Sequence, residues 1–285
     1  MIHNKINFKS TIYISSYGYD AKSTILQTAG YFKDHAETCT RNAKVGSDKT
    51  SGYQLRKELV QESNVWQFGT ALHIDFLDSS KPLPPGVNMT LKLHRNNDDF
   101  VIIKNDAKEY KIKLLKLGVE FRKIDYMPAK VARDIMRFEN GEDYIMPFNN
   151  TRLTSRVIPQ GISSFSIPEI YRGPLPQQLI IGFVKHSAYN ADPKLNPYIF
   201  ENLGIKSFVF KVGGRSHPST EYRPDFVKKK CTREYIHMHD ALGIRRLNSG
   251  LGINQKDFAT NNCFFVLDLS SDQCNNARKY HCFKQ

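Results

Sequence analysis

The sequence predicts a mainly β protein of the sandwich or jelly-roll type, with a few short helices. Short apolar stretches with strand-like alternation recur along the 285-residue chain, separated by Gly, Pro and Asn. Aromatic residues, which favour strands, are plentiful, with 18 Phe and 14 Tyr. Many short strands between such turns are typical of sandwiches and jelly rolls.

The composition is that of an ordinary globular chain with a strong positive charge. Hydrophobic residues make up 40% and charged residues 24% of a chain long enough for one large or two ordinary domains. The 41 basic and 28 acidic residues give a net charge of +13. This charge favours contact with an anionic partner such as nucleic acid, although it does not determine the fold.

The N-terminal sequence and the cysteines predict an intracellular chain, in the cytoplasm or nucleus. MIHNKINFKS lacks the apolar core of a secretory signal, and no apolar run is long enough to span a membrane. The five cysteines are odd in number and form no C-x-x-C pair. This count argues against both a disulfide framework and a structural zinc site.

The N-terminal half begins with a predicted helix over residues 20–34, because Ile25, Ala29 and Phe32 recur at helical spacing. Period-2 alternation then predicts strands over 66–76, 87–93, 100–103 and 110–124. In the last of these the apolar phase changes at Leu114-Leu115, which predicts a β-bulge. The inward positions of these strands predict one core, formed by Leu72, Ile74, Met89, Leu91, Val119 and Phe121.

A second helix is predicted over residues 129–138. Pro128 precedes it at the N1 position, where proline is tolerated, and Gly141 ends it. Gly173-Pro174 then marks the boundary between the two halves, so we expect domains over residues 1–170 and 171–285.

The C-terminal half contains three clear strand patterns and one weaker one. The clear patterns cover residues 179–184, 205–212 and 263–269, and the weaker one covers 233–237. Gly213-Gly214 supplies the positive φ angles that a tight turn requires after the second strand. These strands predict a second core, formed by Ile181, Phe183, Val209, Val266 and Leu269 or their immediate neighbours.

An ordered set of short motifs runs through residues 173–226. It consists of G-x-L-P, an apolar strand, Asn196-Pro197-Tyr198 with Phe200, Phe208-Val209-Phe210, a Gly turn, Pro218 and Pro224-Asp225-Phe226. This order resembles the second half of the double jelly-roll major capsid protein of Polinton (Maverick) elements, which are virus-like DNA transposons. Segments 66–76, 83–87, 91–95 and 121–123 resemble the end of that family's first jelly roll, and 233–235 and 264–268 continue the second.

The resemblance implies a structural role in a viral-type shell, self-association of the subunit, location in a virion or inside the cell, and no catalytic site. The family's opening strands, before residue 10, and its strands after Asp268 have no counterpart here. We therefore expect two incomplete antiparallel jelly-roll halves, as in a fragment, a decayed element or a host-retained remnant. The strand over 263–269 is then the expected exposed edge, and heterogeneous oligomers are the expected assembly state.

His237 and His239 are the sharpest candidates for metal chemistry. On a strand they point the same way and can reach one metal ion, as in cupin enzymes. The cupin pattern requires a Glu three or four residues after the second His, where Leu242 and Gly243 stand, and a Gly where Cys231 stands. We therefore predict no metal and no cofactor, and two surface or interface histidines.

The basic run Lys228-Lys229-Lys230, with Arg223 and Arg233 nearby, is either a solvated loop or a weak, nonspecific contact for nucleic acid. The solvated loop is the favoured interpretation, because no helix-turn-helix, zinc-finger or RNA-recognition motif accompanies it. A further lysine group comprises Lys111, Lys113 and Lys116. It is best explained as the solvent-facing side or the edge of a strand.

The remaining polar clusters lack the companions that catalysis needs. His73 and Asp75 share the polar face of a predicted strand, with Asp78 beyond it, and no nucleophile elbow accompanies them. Gly250 and Gly252 lack the third glycine of a dinucleotide fingerprint, and the terminal His281-Cys282 pair is expected to be inert. The prediction is a capsid-type subunit that is not an enzyme. A nucleic-acid-associated β-sandwich and, less favoured, a cupin-like metalloenzyme are the alternatives.

Overall fold

A computed structural model gives the structure, and it describes residues 17–32, 52–72, 74, 76, 81–84, 86–104, 107–146, 148, 150–245 and 250–270. Within these ranges the strands form two small antiparallel sheets of two strands each, and neither closes into a barrel. Helical residues outnumber strand residues in this part of the chain. The predicted antiparallel pairing is therefore confirmed, whereas the mainly β composition is not.

The described helices of the N-terminal half are short. They are α1 (Tyr19–Ser23), α2 (Gly52–Val60), α3 (Asp98–Val101) and α4 (Pro128–Glu139), with 3₁₀ turns at Ile25–Ala29 and Gln61–Ser63. After α1 the chain forms a 3₁₀ turn in place of the rest of the predicted helix. Leu26 is buried there, whereas Ile25, which was predicted on the apolar face of the helix, is exposed. As predicted, α4 has Pro128 in its first turn and ends just before Gly141. Gly141 has a φ angle of +81°.

The strands predicted over 66–76, 87–93, 100–103 and 110–124 are wrong for the residues that the structure describes there. None of these residues is in a strand, and 98–101 form α3 instead. Alternation decides which face of a strand is apolar, but a strand forms only where another segment satisfies its backbone N–H and C=O groups. No described segment pairs with them, so the predicted N-terminal core is also wrong, with four of its residues exposed, namely Met89, Leu91, Val119 and Phe121.

The C-terminal half contains the packed part of the structure, which we call the C-terminal body (residues 178–269). Its elements in chain order are β1 (Gln178–Gly182), α5 (His186–Tyr189), β2 (Phe208–Val212), β3 (Arg215–Tyr222), α6 (Thr232–Ala241), α7 (Gln255–Thr260) and β4 (Phe264–Asp268).

Strands β1 and β4 form the first sheet, with Ile180 opposite Val266. Both strands were predicted. The prediction that residues 263–269 form an exposed edge is wrong, because α6 packs on β4 and four of its five residues are buried. Gly182 in β1 makes room for the fully buried Phe200. A Cβ at this position would lie 2.8 Å from the Phe200 ring.

Strands β2 and β3 form the second sheet as a hairpin around Gly213 and Gly214, which have φ angles of +53° and +81°. The turn was predicted from its two glycines. It connects Val212 and Arg215, which form the last residue pair of the hairpin. Strand β3 was not predicted, because its sequence RSHPSTEY offers little apolar alternation.

Helix α6 replaces the strand predicted over 233–237. Its buried residues Glu234, Met238 and Ala241 are spaced by four and three, which is helical periodicity. The packing against β4 follows this helical stripe. That stripe places Met238 in the core with 1% of its surface exposed.

The predicted C-terminal core is confirmed. Val266 and Leu269 are buried, and Ile181 and Phe183 pack against the same cluster. Val209 itself is exposed, but its neighbours Phe208 and Phe210 contact the core. Phe265 lies at the centre of this cluster, with its ring 4.6 Å from Phe208 and 5.9 Å from Tyr222.

Candidate functional site

Helix α6 and its neighbours carry the half-buried histidines and the buried cysteines of the C-terminal body. Its first turn follows Cys231, and its buried face rests on β4. The guanidinium of Arg233 donates hydrogen bonds to the backbone carbonyls of Thr220 and Glu221, at 2.8 and 3.1 Å. These bonds fix the start of α6 against the end of β3, so that His237 reaches the β3 residue Tyr222.

The half-buried His237 and the buried Tyr222 form a polar pair. The Tyr222 hydroxyl lies 3.0 Å from Nδ1 of His237, and Arg233 lies 5.3 Å from the centre of the Tyr222 ring. Burial raises the pKa of Tyr222 to about 12, so the phenol stays protonated and can donate a hydrogen bond to Nδ1 of the neutral imidazole. Burial, together with the nearby Arg233 charge, lowers the pKa of His237 below its ordinary value.

His239 lies on another side of the same helix. Successive residues of a helix are rotated by about 100°, so positions two apart point in nearly opposite directions. Accordingly, His239 donates from Nδ1 to the Tyr235 carbonyl at 2.9 Å and packs on the Tyr235 ring, whereas His237 turns to Tyr222. The two imidazoles do not converge, and this removes the strand geometry on which the cupin-like alternative depended.

The lowered pKa of His237 predicts a pH dependence of stability. The unfolded chain holds this proton with a pKa of about 6.5, so below that pH it binds more protons than the folded chain. The contribution of His237 is therefore complete above pH ~6.5 and is lost as the pH falls through the unfolded pKa towards the lower folded value. We expect urea unfolding to show a smaller loss of stability between pH ~7 and ~5 in His237→Gln than in the wild type.

The control for this prediction is His186→Gln, because His186 is an exposed histidine on α5. This variant should retain the wild-type pH dependence. Equal pH dependence in His237→Gln and the wild type would contradict the assignment of the effect to His237.

Cys231 and Cys263 are free thiols with no exposed surface, and both lie in the core beside α6. Burial raises the pKa of both, and that of Cys263 reaches about 12, with Cys231 and Glu234 adding to the effect. Both thiols are therefore protonated at neutral pH, which is the opposite of an activated nucleophile. The sequence did not predict that the two cysteines lie in the same core cluster.

Two predicted clusters lie outside the described residues, the group His73, Asp75 and Asp78 and the pair His281-Cys282. Gly252 is described, and it has φ +67°. A Cβ at Gly252 would lie 3.3 Å from the Lys22 side chain, whose ammonium donates to the Leu251 carbonyl. This glycine thus makes room for the lysine that ties α1 to the C-terminal body, which is a structural role.

A depression of 540 Å³ lies at the start of α3, beside the segment over 109–111. Nearly all of its lining residues are charged or amide side chains, and Arg95 and Asp98 form an ion pair across it. Small-molecule sites are usually lined by apolar side chains with a few polar groups, so this depression does not have their character.

Two segments of the N-terminal half carry many of the exposed large apolar side chains among the described residues. We define them as segment A (residues 87–93) and segment B (residues 112–121). Their side chains are between 37% and 83% exposed, and they are Val87, Met89, Leu91, Leu93, Ile112, Leu114, Leu115, Leu117, Val119 and Phe121. Monomeric soluble proteins rarely leave large contiguous apolar patches in water.

The Lys228-Lys229-Lys230 run lies on an exposed loop of the C-terminal body, between β3 and α6. Its neighbours Arg223 and Arg233 do not join it as unpaired charges, because Arg223 pairs with Glu221 and Arg233 binds backbone carbonyls. The other lysine group (Lys111, Lys113 and Lys116) is exposed along segment B and its approach.

Among the described residues, no group of three or more His, Cys, Asp or Glu side chains has an arrangement that could hold a metal ion. The helices in this part of the chain are too short or too polar to cross a bilayer. Comparisons with models of protein families, with curated proteins and with solved structures find no match for the chain. The features that remain for a functional argument are segments A and B and the basic loop.

Proposed function

We propose that the chain is a structural, capsid-type subunit, or the remnant of one, from a virus-like DNA transposon of the Polinton (Maverick) class. In this proposal it acts by assembling with copies of itself and performs no catalysis. The observation that carries the proposal is that Phe200 and Phe208, from the C-terminal part of the resemblance, lie in one packed body. Phe200 packs on Gly182 of β1, and Phe208 and Tyr222 pack on Phe265.

The finer architecture belongs to the same proposal. Residues 171–285 would be a partial jelly roll whose two antiparallel sheets share the Phe265 cluster, and residues 1–170 would be a second partial jelly roll. Segments A and B carry the alternation of strands but pair with no described segment. In the proposal they obtain strand partners from neighbouring subunits, because a strand needs a partner for its backbone groups.

The energetics support association through these segments. Covering apolar surface yields about 25 cal/mol for each Å² removed from water. Phe121 is 83% exposed and Leu115 is 65% exposed, so each has most of its side-chain area available for burial. Charge restricts the choice of partner strand, since Lys111, Lys113 and Lys116 disfavour pairing with a second copy of segment B unless acidic groups oppose them.

Light scattering after size-exclusion chromatography tests self-association. We expect the wild-type chain to elute as oligomers larger than its 32.8 kDa monomer. The double variant Leu117→Glu/Phe121→Glu places two charges on segment B and should weaken association by at least about tenfold, as loss of interface anchors usually does. Negative-stain electron microscopy shows whether the wild-type oligomers are heterogeneous or shell-like.

The matched control is Leu203→Glu, which changes an exposed leucine on the C-terminal body. It should leave the oligomers intact. A wild-type chain that stays a stable, monodisperse monomer at every concentration would contradict the proposed function. Equal weakening by the control would show that association does not depend on segment B.

A further inference from the structure

The basic run lies on a loop that is closed by backbone hydrogen bonds, which we call the lysine loop (residues 225–230). Asp225 and Lys230 exchange two backbone hydrogen bonds of 3.0 and 2.8 Å and so close the loop. Inside it, the Lys229 N–H donates to the Phe226 carbonyl at 3.3 Å, and the Lys228 N–H donates to the Asp225 carboxylate at 3.0 Å. The backbone of the loop is therefore held in place by its own hydrogen bonds.

The loop is also anchored to the core at its base. Pro224 is buried, and the Phe226 ring lies 6.5 Å from that of Phe258, which is fully buried. The next residue, Val227, is 93% exposed, and the three lysines that follow it are exposed as well. A fixed base and an exposed tip are the features of a surface that is preorganised for binding, because little conformational freedom is lost on contact.

None of the three lysines forms an ion pair with a residue that the structure describes. The neighbouring positive charges are used differently, since Arg223 pairs with Glu221 and Arg233 supports β3. The carboxylate of Asp225 is engaged with the Lys228 backbone. The loop thus presents three adjacent ammonium groups to solvent.

We propose that the lysine loop binds the phosphate backbone of nucleic acid without sequence preference. Lysine binds phosphate as a point charge, and each phosphate neutralised releases a condensed counterion, which drives binding at low salt. The net charge of +13 attracts a polyanion to the chain as a whole. The one aromatic residue of the loop, Phe226, packs inward on Phe258 and does not offer a stacking surface for bases.

An anionic membrane is the less suitable partner for this loop. Binding to a bilayer surface depends on apolar area that enters the acyl region, in addition to charge. The loop offers a single exposed valine, Val227, for that purpose. The inference does not depend on the proposed shell function, because phosphate binding by the loop requires no second copy of the chain.

Fluorescence anisotropy with a short DNA duplex of mixed sequence, titrated at several salt concentrations, tests the inference. The loop variant is Lys228→Gln/Lys229→Gln/Lys230→Gln, and we expect it to bind about tenfold or more weakly at low salt. The slope of log K against log salt should become shallower by about 2–3, which corresponds to three lost phosphate contacts. Its thermal unfolding should match that of the wild type, because the three side chains are exposed.

The matched control removes the same charge from scattered exposed positions of the same body, with Lys194→Gln/Lys206→Gln/Lys211→Gln. It should change the affinity and the slope far less than the loop variant does. A second loop variant, in which the three lysines become arginine, keeps the charge and should retain binding. Circular dichroism of each variant separates loss of binding from loss of folding.

Three outcomes would overturn the inference. Equal loss in the loop variant and the control would assign binding to the overall charge. A wild-type chain that does not bind DNA at low salt would rule out the contact. Binding to phosphatidylserine vesicles without binding to DNA, abolished in the loop variant, would assign the loop to a membrane surface instead.

Discussion

Val266→Lys is expected to destabilise the C-terminal body by about 3–5 kcal/mol, which is enough to unfold a typical domain substantially. Val266 is 4% exposed and lies in β4, opposite Ile180 of β1. Helix α6 packs on this strand, so the lysine stem has no short path to water. The introduced ammonium is therefore buried without an ion-pair partner.

Thermal and urea unfolding measure this effect, with Val209→Lys as the matched control. Val209 is also a strand valine, but 37% of its surface is exposed on the outer side of β2. A lysine there keeps its charge in water and should change the stability by less than about 0.5 kcal/mol. If Val266→Lys raised the solubility of the chain without lowering its stability, β4 would be the exposed edge that the sequence suggested.

The sequence predicted the elements whose own residues specify them. Strands β1, β2 and β4 are short runs rich in apolar and aromatic residues. The pair Gly213-Gly214 strongly favours a tight hairpin turn. Pro128 and Gly141 marked the ends of α4 for equally local reasons. In these cases the local preference and the packing agree, so no long-range information was needed.

The elements that the sequence missed depend on distant partners. The segment that forms α6 was predicted to contain a strand, and its helical character is seen in the burial of Glu234 and Met238 where the helix packs on β4. Strand β3 is polar and is held by its hairpin partner β2. Segment B shows the opposite error, because it has a strong strand pattern but no described partner to complete a ladder.

The candidate site was predictable only in part for the same reason. The lysine run is visible in the sequence. The backbone hydrogen bonds between Asp225 and Lys230 that close the loop were not indicated by any spacing of residues. The pairing of His237 with Tyr222, and the burial of Cys231 and Cys263 in one core cluster, bring together residues from different elements. Spacing alone suggested that His237 and His239 act together, whereas the helix separates them.

Phe265→Ala is expected to produce a destabilisation of about 3–5 kcal/mol, through a cavity rather than a charge. The Phe265 ring of β4 is 2% exposed and lies near aromatic rings from both strands of the β2–β3 hairpin and from the chain after β1. The ring centres lie 4.6 Å from Phe208, 5.9 Å from Tyr222 and 6.3 Å from Phe183. Removing the ring therefore takes away the contact through which the β1–β4 sheet packs on the β2–β3 hairpin.

Hydrogen exchange of the backbone amides adds a readout that overall stability does not give. If Phe265 couples the two sheets, the hairpin amides of Lys211 and Val212 should lose protection in Phe265→Ala at least as much as those of β1. Phe265→Leu keeps most of the apolar volume and should cost about 1.5 kcal/mol or less. Phe121→Ala removes the same ring from a position that is 83% exposed and should leave stability nearly unchanged. Equal destabilisation by Phe121→Ala and Phe265→Ala would mean that segment B is packed in the isolated chain, and the proposal that neighbouring subunits cover it would fail.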